Sequence, residues 1–204
     1  MRDHLLNKLM DIPDETSLEA TWGDHYAPPN DLANLPKGRT LRPAAVLVPI
    51  VQHPHGETII LTQRTEHLNS HSGQVAFPGG KVEEEDTGPV DTALRETEEE
   101  IGLHRDHVDV VGALDVYETG TGFAITPIVG LVTPGFTLVP DDNEVAEVFE
   151  VPMAFFMDSA NHTMQSSTWQ GAVRHYYDMP YNGFRIWGAT AGMLVNLHDR
   201  LTGE

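Results

Sequence analysis

The chain contains no cysteine, which excludes disulfides as a source of its stability. No apolar run approaches the ~20 residues needed to span a bilayer. The N-terminal stretch M-R-D-H-L-L-N-K-L-M-D lacks the long apolar centre and small-residue cleavage site of a signal peptide, so the expected location is cytoplasmic. Positive charge is scarce as well. There are 12 Lys+Arg against 31 Asp+Glu, a net charge of -19, and no lysine follows Lys81. That balance opposes nonspecific binding to nucleic acid or to an anionic membrane, so no partner of either kind is expected. An anionic substrate would have to be met locally, by a metal and a few arginines. At 204 residues and 40% hydrophobic content, the chain is long enough for one sizeable core and too short for two full domains. The simplest division is an N-terminal helix and Pro-rich linker over 1–41 and a main domain over 42–204. Oligomeric state stays open, with a homodimer among the options.

Negative charge, by contrast, is concentrated. Residues 95 to 103 read R-E-T-E-E-E-I-G-L, with one arginine and four glutamates in the last turns before a glycine stop. A helix end carries partial negative charge, so carboxylates there repel the dipole and one another, and something must offset that cost. Glu96, Glu99 and Glu100 stand at i, i+3 and i+4. At ~100° per residue they fall within about a third of the helix circumference. Such a stripe makes a cradle for a hard divalent cation, which takes oxygen ligands. Val90, Ala93, Leu94, Thr97 and Ile101 gather on another arc and would face a sheet. A solvated acidic helix would intersperse lysines four residues after its glutamates, and none is present. Glu83, Glu84, Glu85 and Glu98 are read as solvated or supporting groups.

The remaining pattern is mostly strand. Residues 1–12 read as a short amphipathic helix, and Tyr26 to Arg42, with Pro28, Pro29, Pro36 and Gly38, as a linker. Ala44 to Val51 reads as a buried strand, His53 to Glu57 as a turn, Thr58 to Arg64 as a second strand, and 65–82 as loop. Val108 to Thr119 and Phe123 to Thr133 form an expected hairpin around Gly120-Thr121-Gly122. Glu147 to Val151 and Val173 to Met179 read as strands, and Pro152 opens a short helix. Thr190 to Leu201 reads as a closing helix with Ala191, Leu194, Val195 and Leu197 inward. The expected class is α/β, with helices packed on a mixed sheet.

Two motifs carry a resemblance. Phe77-Pro78-Gly79-Gly80-Lys81 precedes the acidic helix, and from Gly80 onward the chain resembles the Nudix box, G-x5-E-x7-R-E-U-x-E-E-x-G-U with U apolar. Gly80, Arg95, Glu96, Glu99, Glu100, Gly102 and Leu103 match it. Asp86 takes the first glutamate position, one extra residue lies between it and Arg95, and Thr97 replaces an aliphatic. The extra residue lengthens the loop and leaves the helix in register. Residues 60 to 80, I-L-T-Q-R-T-E-H-L-N-S-H-S-G-Q-V-A-F-P-G-G, resemble the segment before the box in the coenzyme A pyrophosphatase branch. Leu61, Thr62, Arg64, Gly73, Phe77, Pro78, Gly79 and Gly80 coincide with it, while Asn69 stands in place of a second arginine and Thr65 in place of a small Ser or Ala. The resemblance extends over roughly 42–200.

It implies a Nudix hydrolase domain over 42–204, an α/β/α sandwich around a mixed β-sheet. It implies metal-dependent hydrolysis of a pyrophosphate linkage, in coenzyme A or an acyl-CoA, with a CoA-like nucleotide as the small-molecule partner. The rivals are other nucleoside diphosphate derivatives, such as ADP-ribose or NADH, and a non-catalytic nucleotide-binding module. Glu99 and Glu100, with Glu96 and the Gly79 carbonyl, would hold Mg²⁺ or Mn²⁺. Arg95 would orient Glu99 through a forked hydrogen bond. The water-activating base would be Glu96 or Glu100, with Glu144 the competing candidate. Arg64, at the end of a strand, would meet substrate phosphate, and Gly79 and Gly80 would also bind the substrate. His67, His71, Arg174 and His175 could join it, and Tyr176, Tyr177, Tyr181, Phe184 and Trp187 serve either as stacking surfaces or as core.

Overall fold

The computed structural model describes residues 2–14, 16–24, 40–67, 71–169 and 172–203. Asn69 and residues 26–39 of the expected linker lie outside the described residues. In chain order the elements are helix α1 (Arg2–Leu6), strands β1 (Trp22–Gly23), β2 (Arg42–His53), β3 (Gly56–Arg64), β4 (Val75–Ala76) and β5 (Gly79–Lys81), and helix α2 (Pro89–Ile101). They continue with β6 (Val108–Ala113), β7 (Tyr117–Glu118), β8 (Phe123–Val132), β9 (Val145–Pro152), helix α3 (Met153–Phe156), β10 (Thr163–Trp169), β11 (Ala172–Tyr181), β12 (Phe184–Trp187) and helix α4 (Gly188–Thr202).

The architecture follows from β2. Its side chains alternate between two cores: Ala45, Leu47 and Val51 enter one, Val46, Val48 and Ile50 the other, and all six are buried. A strand apolar on both faces belongs at the centre of a covered sheet. Accordingly β2 pairs in parallel with β8 and antiparallel with β3 and β5. The main sheet runs β1-β7-β8-β2-β3-β4, with β5 also on β2, β6 on β8 and β9 on β3. Helix α2 covers one face through Ala93, Leu94 and Ile101. Helix α4 covers the other through Ala191, Leu194, Val195 and Leu197, joined by Met179 and Ile186 of the second sheet, β10-β11-β12. The result is an α/β sandwich around a mixed sheet, as expected.

Several boundaries differ from the sequence reading, each for a local reason. The stretch expected as one strand from Val108 to Thr119 is two, because Pro127 in the partner β8 has no N–H to donate where the ladder would continue. Helix α1 ends at Leu6 rather than near residue 12, since Met10 pairs its backbone with Ala113 and Pro13 disfavours helix before it. Residues 65–82 hold two short strands, β4 and β5, within the expected loop. The N-terminal segment is built into the same body: Leu5 is fully buried, and β1 pairs in parallel with β7. Among the described residues no helix is long and apolar enough to cross a membrane.

Asp115 pins the N-terminal segment and α4 to the sheet. It accepts a fork from Arg200 at 2.9 and 2.7 Å, Nδ2 of Asn196 at 2.8 Å and the Thr21 hydroxyl at 3.0 Å. Burial opposes its ionisation, yet these donors win and hold its pKa below the usual aspartate value. A depressed folded pKa contributes stability that is fully present above about pH 4 and is lost as pH falls through the folded value. Asp115→Ala should therefore lower unfolding free energy by about 2–3 kcal/mol at neutral pH. Urea melts should show that difference shrinking below pH 4; an unchanged gap there would place the loss in packing.

Candidate active site at the end of helix α2

Helix α2 begins after Gly88 with Pro89 at its first turn and ends at Gly102, whose φ of 69° only glycine adopts without strain. Between these stops, Ala93, Leu94, Thr97 and Ile101 face the sheet as the spacing predicts. The three glutamates of the other stripe are not equivalent. Side-chain exposure is 61% for Glu99, 18% for Glu96 and 5% for Glu100, so only Glu99 is open to solvent.

The glycine pair lies against this stripe. Strand β5 pairs with β2 so closely that a Cβ on Gly79, at φ 152°, would overlap the Ala45 carbonyl oxygen and the Val46 Cα. A Cβ on Gly80 would overlap the Glu96 carboxylate. The Gly79 amide donates to Glu100 Oε2 at 3.1 Å.

Arg95 departs from its expected role. Its fork closes on Asp86, with Nε to Oδ1 at 2.8 Å and Nη2 to Oδ2 at 2.9 Å, rather than on Glu99. Nη1 then reaches Glu96 at 3.0 Å and Glu99 at 3.4 Å. The reason is the turn that precedes the helix. Asp86 accepts from the Glu83 amide and the Thr92 hydroxyl, and is nearly buried where Glu99 is exposed, so its charge binds the guanidinium more strongly. Arg95 accordingly drives the Asp86 pKa far below the usual range. Glu98 pairs with Arg105 and takes no part in the cluster.

Arg64, at the end of β3, supplies the second guanidinium. It approaches Glu100 at 3.2 Å and Glu144 at 3.6 Å. Glu144 reaches the cluster because the Thr65 amide binds its carbonyl at 3.0 Å and the Thr65 hydroxyl binds the Asn143 carbonyl at 3.1 Å. Thus Arg64, Arg95, Glu96, Glu99, Glu100, Glu144, Gly79 and Gly80 come together, while His67 has no contact here.

Five carboxylates, Asp86, Glu96, Glu99, Glu100 and Glu144, share two guanidinium groups. Burial raises Glu96 and pushes Glu100 up to about 7, and the neighbouring carboxylates add to both shifts; Arg95 opposes the first, and the Gly79 amide and Arg64 oppose the second. Among the described residues no three Asp, Glu or His side chains stand as a ready-made ligand set, since Arg95 bridges Glu96 and Glu99 and Arg64 bridges Glu100 and Glu144. The donor chemistry nonetheless fits a hard divalent cation: all-oxygen, in excess negative charge, and partly desolvated.

Gly79 and Gly80, with Arg64, also line a cavity of about 600 Å³. Its walls are largely apolar, with Phe77, Phe123, Ile125 and Met193 among them. Arg64, Lys81 and Arg174 bring positive charge to it, and among the described residues Asp24 is its one acidic lining residue. His71, His175, Tyr176 and Trp187 also line it. Tyr177, Tyr181 and Phe184 pack against the core instead, Phe184 stacking on Phe149 at 3.7 Å. Asp24 carried no signal in the sequence; it enters through long-range contacts to Tyr117 and Gly120.

This fold, with an acidic helix end set against a glycine loop, defines a class of hydrolase. The model of the NUDIX domain matches residues 41–167, and the chain belongs to the Nudix hydrolases. It is 38% identical over 156 residues to the Nudix hydrolase NudL of Escherichia fergusonii, covering 76% of this chain and 81% of that protein. It is 40% identical over 158 residues to NudL of Yersinia enterocolitica, covering 78% and 80%. The crystal structure of a MutT/nudix family protein from Enterococcus faecalis shares the fold at a TM-score of 0.50 and 15% identity, over 83% of this chain and 65% of that one. The protein is therefore a pyrophosphohydrolase acting on phosphorus-containing anhydrides of small nucleotide-type molecules, in a family that uses divalent metal ions.

Proposed function

We propose that this enzyme hydrolyses the pyrophosphate linkage of coenzyme A or an acyl-CoA, giving phosphopantetheine and adenosine 3',5'-bisphosphate, in the cytoplasm and with Mg²⁺ or Mn²⁺. The observation that carries this reading is the cavity. In a chain of net charge -19 its described lining is positive on balance, and it shares Arg64, Gly79 and Gly80 with the surroundings of the carboxylate cluster. The coenzyme A-like signature folds back on itself through β3, β4 and β5, so that Arg64 at one end and Gly79-Gly80 at the other both reach this place.

Water attacks one phosphorus and the other phosphate leaves, yielding two monoesters. A divalent cation, when bound, would supply Lewis-acid neutralisation of the phosphate oxygens. Glu96, Glu99 and Glu100, with the Gly79 carbonyl, would hold it. Glu96 or Glu100 accepts the proton of the attacking water, with Glu144 the third candidate within the cluster. Arg95, anchored on Asp86, keeps Glu96 and Glu99 in place. Arg64 meets pyrophosphate oxygens by exchanging its contact with Glu100. The test is a substrate panel with Mg²⁺: coenzyme A, an acyl-CoA, ADP-ribose, NADH and a dinucleoside polyphosphate. We expect kcat/KM for coenzyme A or acyl-CoA to exceed the others by about tenfold or more, the size of one charged hydrogen bond. A preference for ADP-ribose or NADH would overturn the assignment, and no turnover of any member would leave a binding module.

A further inference from the structure

The geometry points to a second phosphate site at the far wall of the cavity: Arg174 recognises a phosphate monoester on the nucleotide half of the substrate, and Trp187 with Tyr176 receives the base. This rests on the nucleotide reading above and adds the residues that select within it. Arg174 Nη1 lies 2.9 Å from where a Cβ of Gly120 would stand, and Asp24 Oδ2 lies 3.3 Å from the same point. Asp24 is itself fixed, accepting from the Tyr117 hydroxyl at 2.7 Å and the Gly120 amide at 2.6 Å. The guanidinium is thereby placed beside the turn that joins β7 and β8, facing the cavity. Arg64 stands on β3 instead. Across the order β7-β8-β2-β3 that is two to three strand spacings, roughly 10–14 Å at about 4.8 Å each. A ligand with a pyrophosphate and a separate monoester can meet both.

The aromatic corner is equally built. Tyr176 and Trp187 meet edge to face with centroids 5.4 Å apart, and the Arg185 guanidinium sits 5.0 Å over the Trp187 ring, held by Asp178 at 2.8 and 2.9 Å. Arg185 is not among the lining residues, so it backs the ring while Trp187 itself borders the cavity. A planar ring gripped in this way offers stacking surface with little ordering cost. Asp24, Arg174, Tyr176 and Trp187 all fall outside residues 41–167, the part common to the family. The matched segment carries the carboxylate cluster and much of the cavity, and the flanking segments add these four residues to its wall.

The test is binding of adenosine 3',5'-bisphosphate and adenosine 5'-monophosphate, measured by calorimetry on wild type, Arg174→Gln, Arg174→Lys and Trp187→Leu, with thermal melts as fold controls. Wild type should bind the bisphosphate about tenfold more tightly or better. Arg174→Gln should abolish that preference with the monophosphate affinity within about twofold, Arg174→Lys should retain part of it, and Trp187→Leu should weaken both ligands alike. In turnover, Arg174→Gln should raise KM for coenzyme A and leave kcat, and dephospho-coenzyme A, nearly unchanged. Equal losses on both ligands would reduce Arg174 to a partner of Asp24 and overturn the site, as would equal wild-type affinities. Hydrolysis of coenzyme A with an Arg174-independent preference would sink this site and keep the proposed function. An Arg174-dependent preference without coenzyme A hydrolysis would do the reverse.

Discussion

Glu100→Gln is expected to lose about 10²–10³-fold in kcat while the fold persists, the loss typical of deleting one well-placed charge from an active site. Glu100 is the most buried of the helix glutamates, with the Gly79 amide on one oxygen and Arg64 on the other. An amide keeps the shape and accepts from Gly79, but no longer offers a charge to a cation or a basic oxygen to water. Stability should hardly suffer, because the native carboxylate is already strained by burial and by Glu96 and Glu144. Glu99→Gln should follow the same direction, from a more exposed position. Turnover and melting temperature should be measured together, with and without millimolar Mn²⁺. The ion should raise the melting point of wild type by mass action and that of Glu99→Gln/Glu100→Gln much less. Near-normal activity in both single variants would remove these residues from the site.

The sequence made α2 legible because helical spacing is a local property. Three glutamates at i, i+3 and i+4, with a glycine stop two residues on, define a face wherever the helix packs. What Arg95 would do with that face was not local. The i, i+4 geometry pointed to Glu99, but the turn at Glu83 to Asp86 returns a better-buried carboxylate from nine residues upstream. Glu144 and Arg64 meet only because β3 and β9 pair, a register that no spacing encodes. The second sheet was half visible. Strand β11 alternates enough to be read, while β10 from Thr163 to Thr168 is exposed and polar, and presents no apolar period to find. The cavity wall shows the same limit: Arg174 was legible only as a basic residue that could join Arg64, Asp24 carried no signal, and the β7–β8 turn sets both beside Gly120.

The last expected result separates the two glycines of the loop. Gly80→Ala should keep the fold and lose about a hundredfold in kcat, the scale of a misplacement of order 1 Å at a catalytic group. The reason lies in what the added methyl meets. At Gly80 its three nearest neighbours are all atoms of the Glu96 carboxylate, the far end of a flexible side chain, so Glu96 should rotate away and the backbone stay. Removing Glu96 from contact with Arg95 then costs the cluster both a proposed ligand and a candidate base. At Gly79 the methyl meets the backbone of β2 and must also adopt a positive φ of 152°, so β5 has to leave the sheet. Gly79→Ala should therefore lower unfolding free energy by about 3 kcal/mol or more, and activity with it. Denaturant melts of the two variants beside wild type, each paired with kcat, decide the matter. A Gly80→Ala enzyme with full turnover would show that Glu96 need not stand where the loop holds it, and the base would then have to be Glu100 or Glu144.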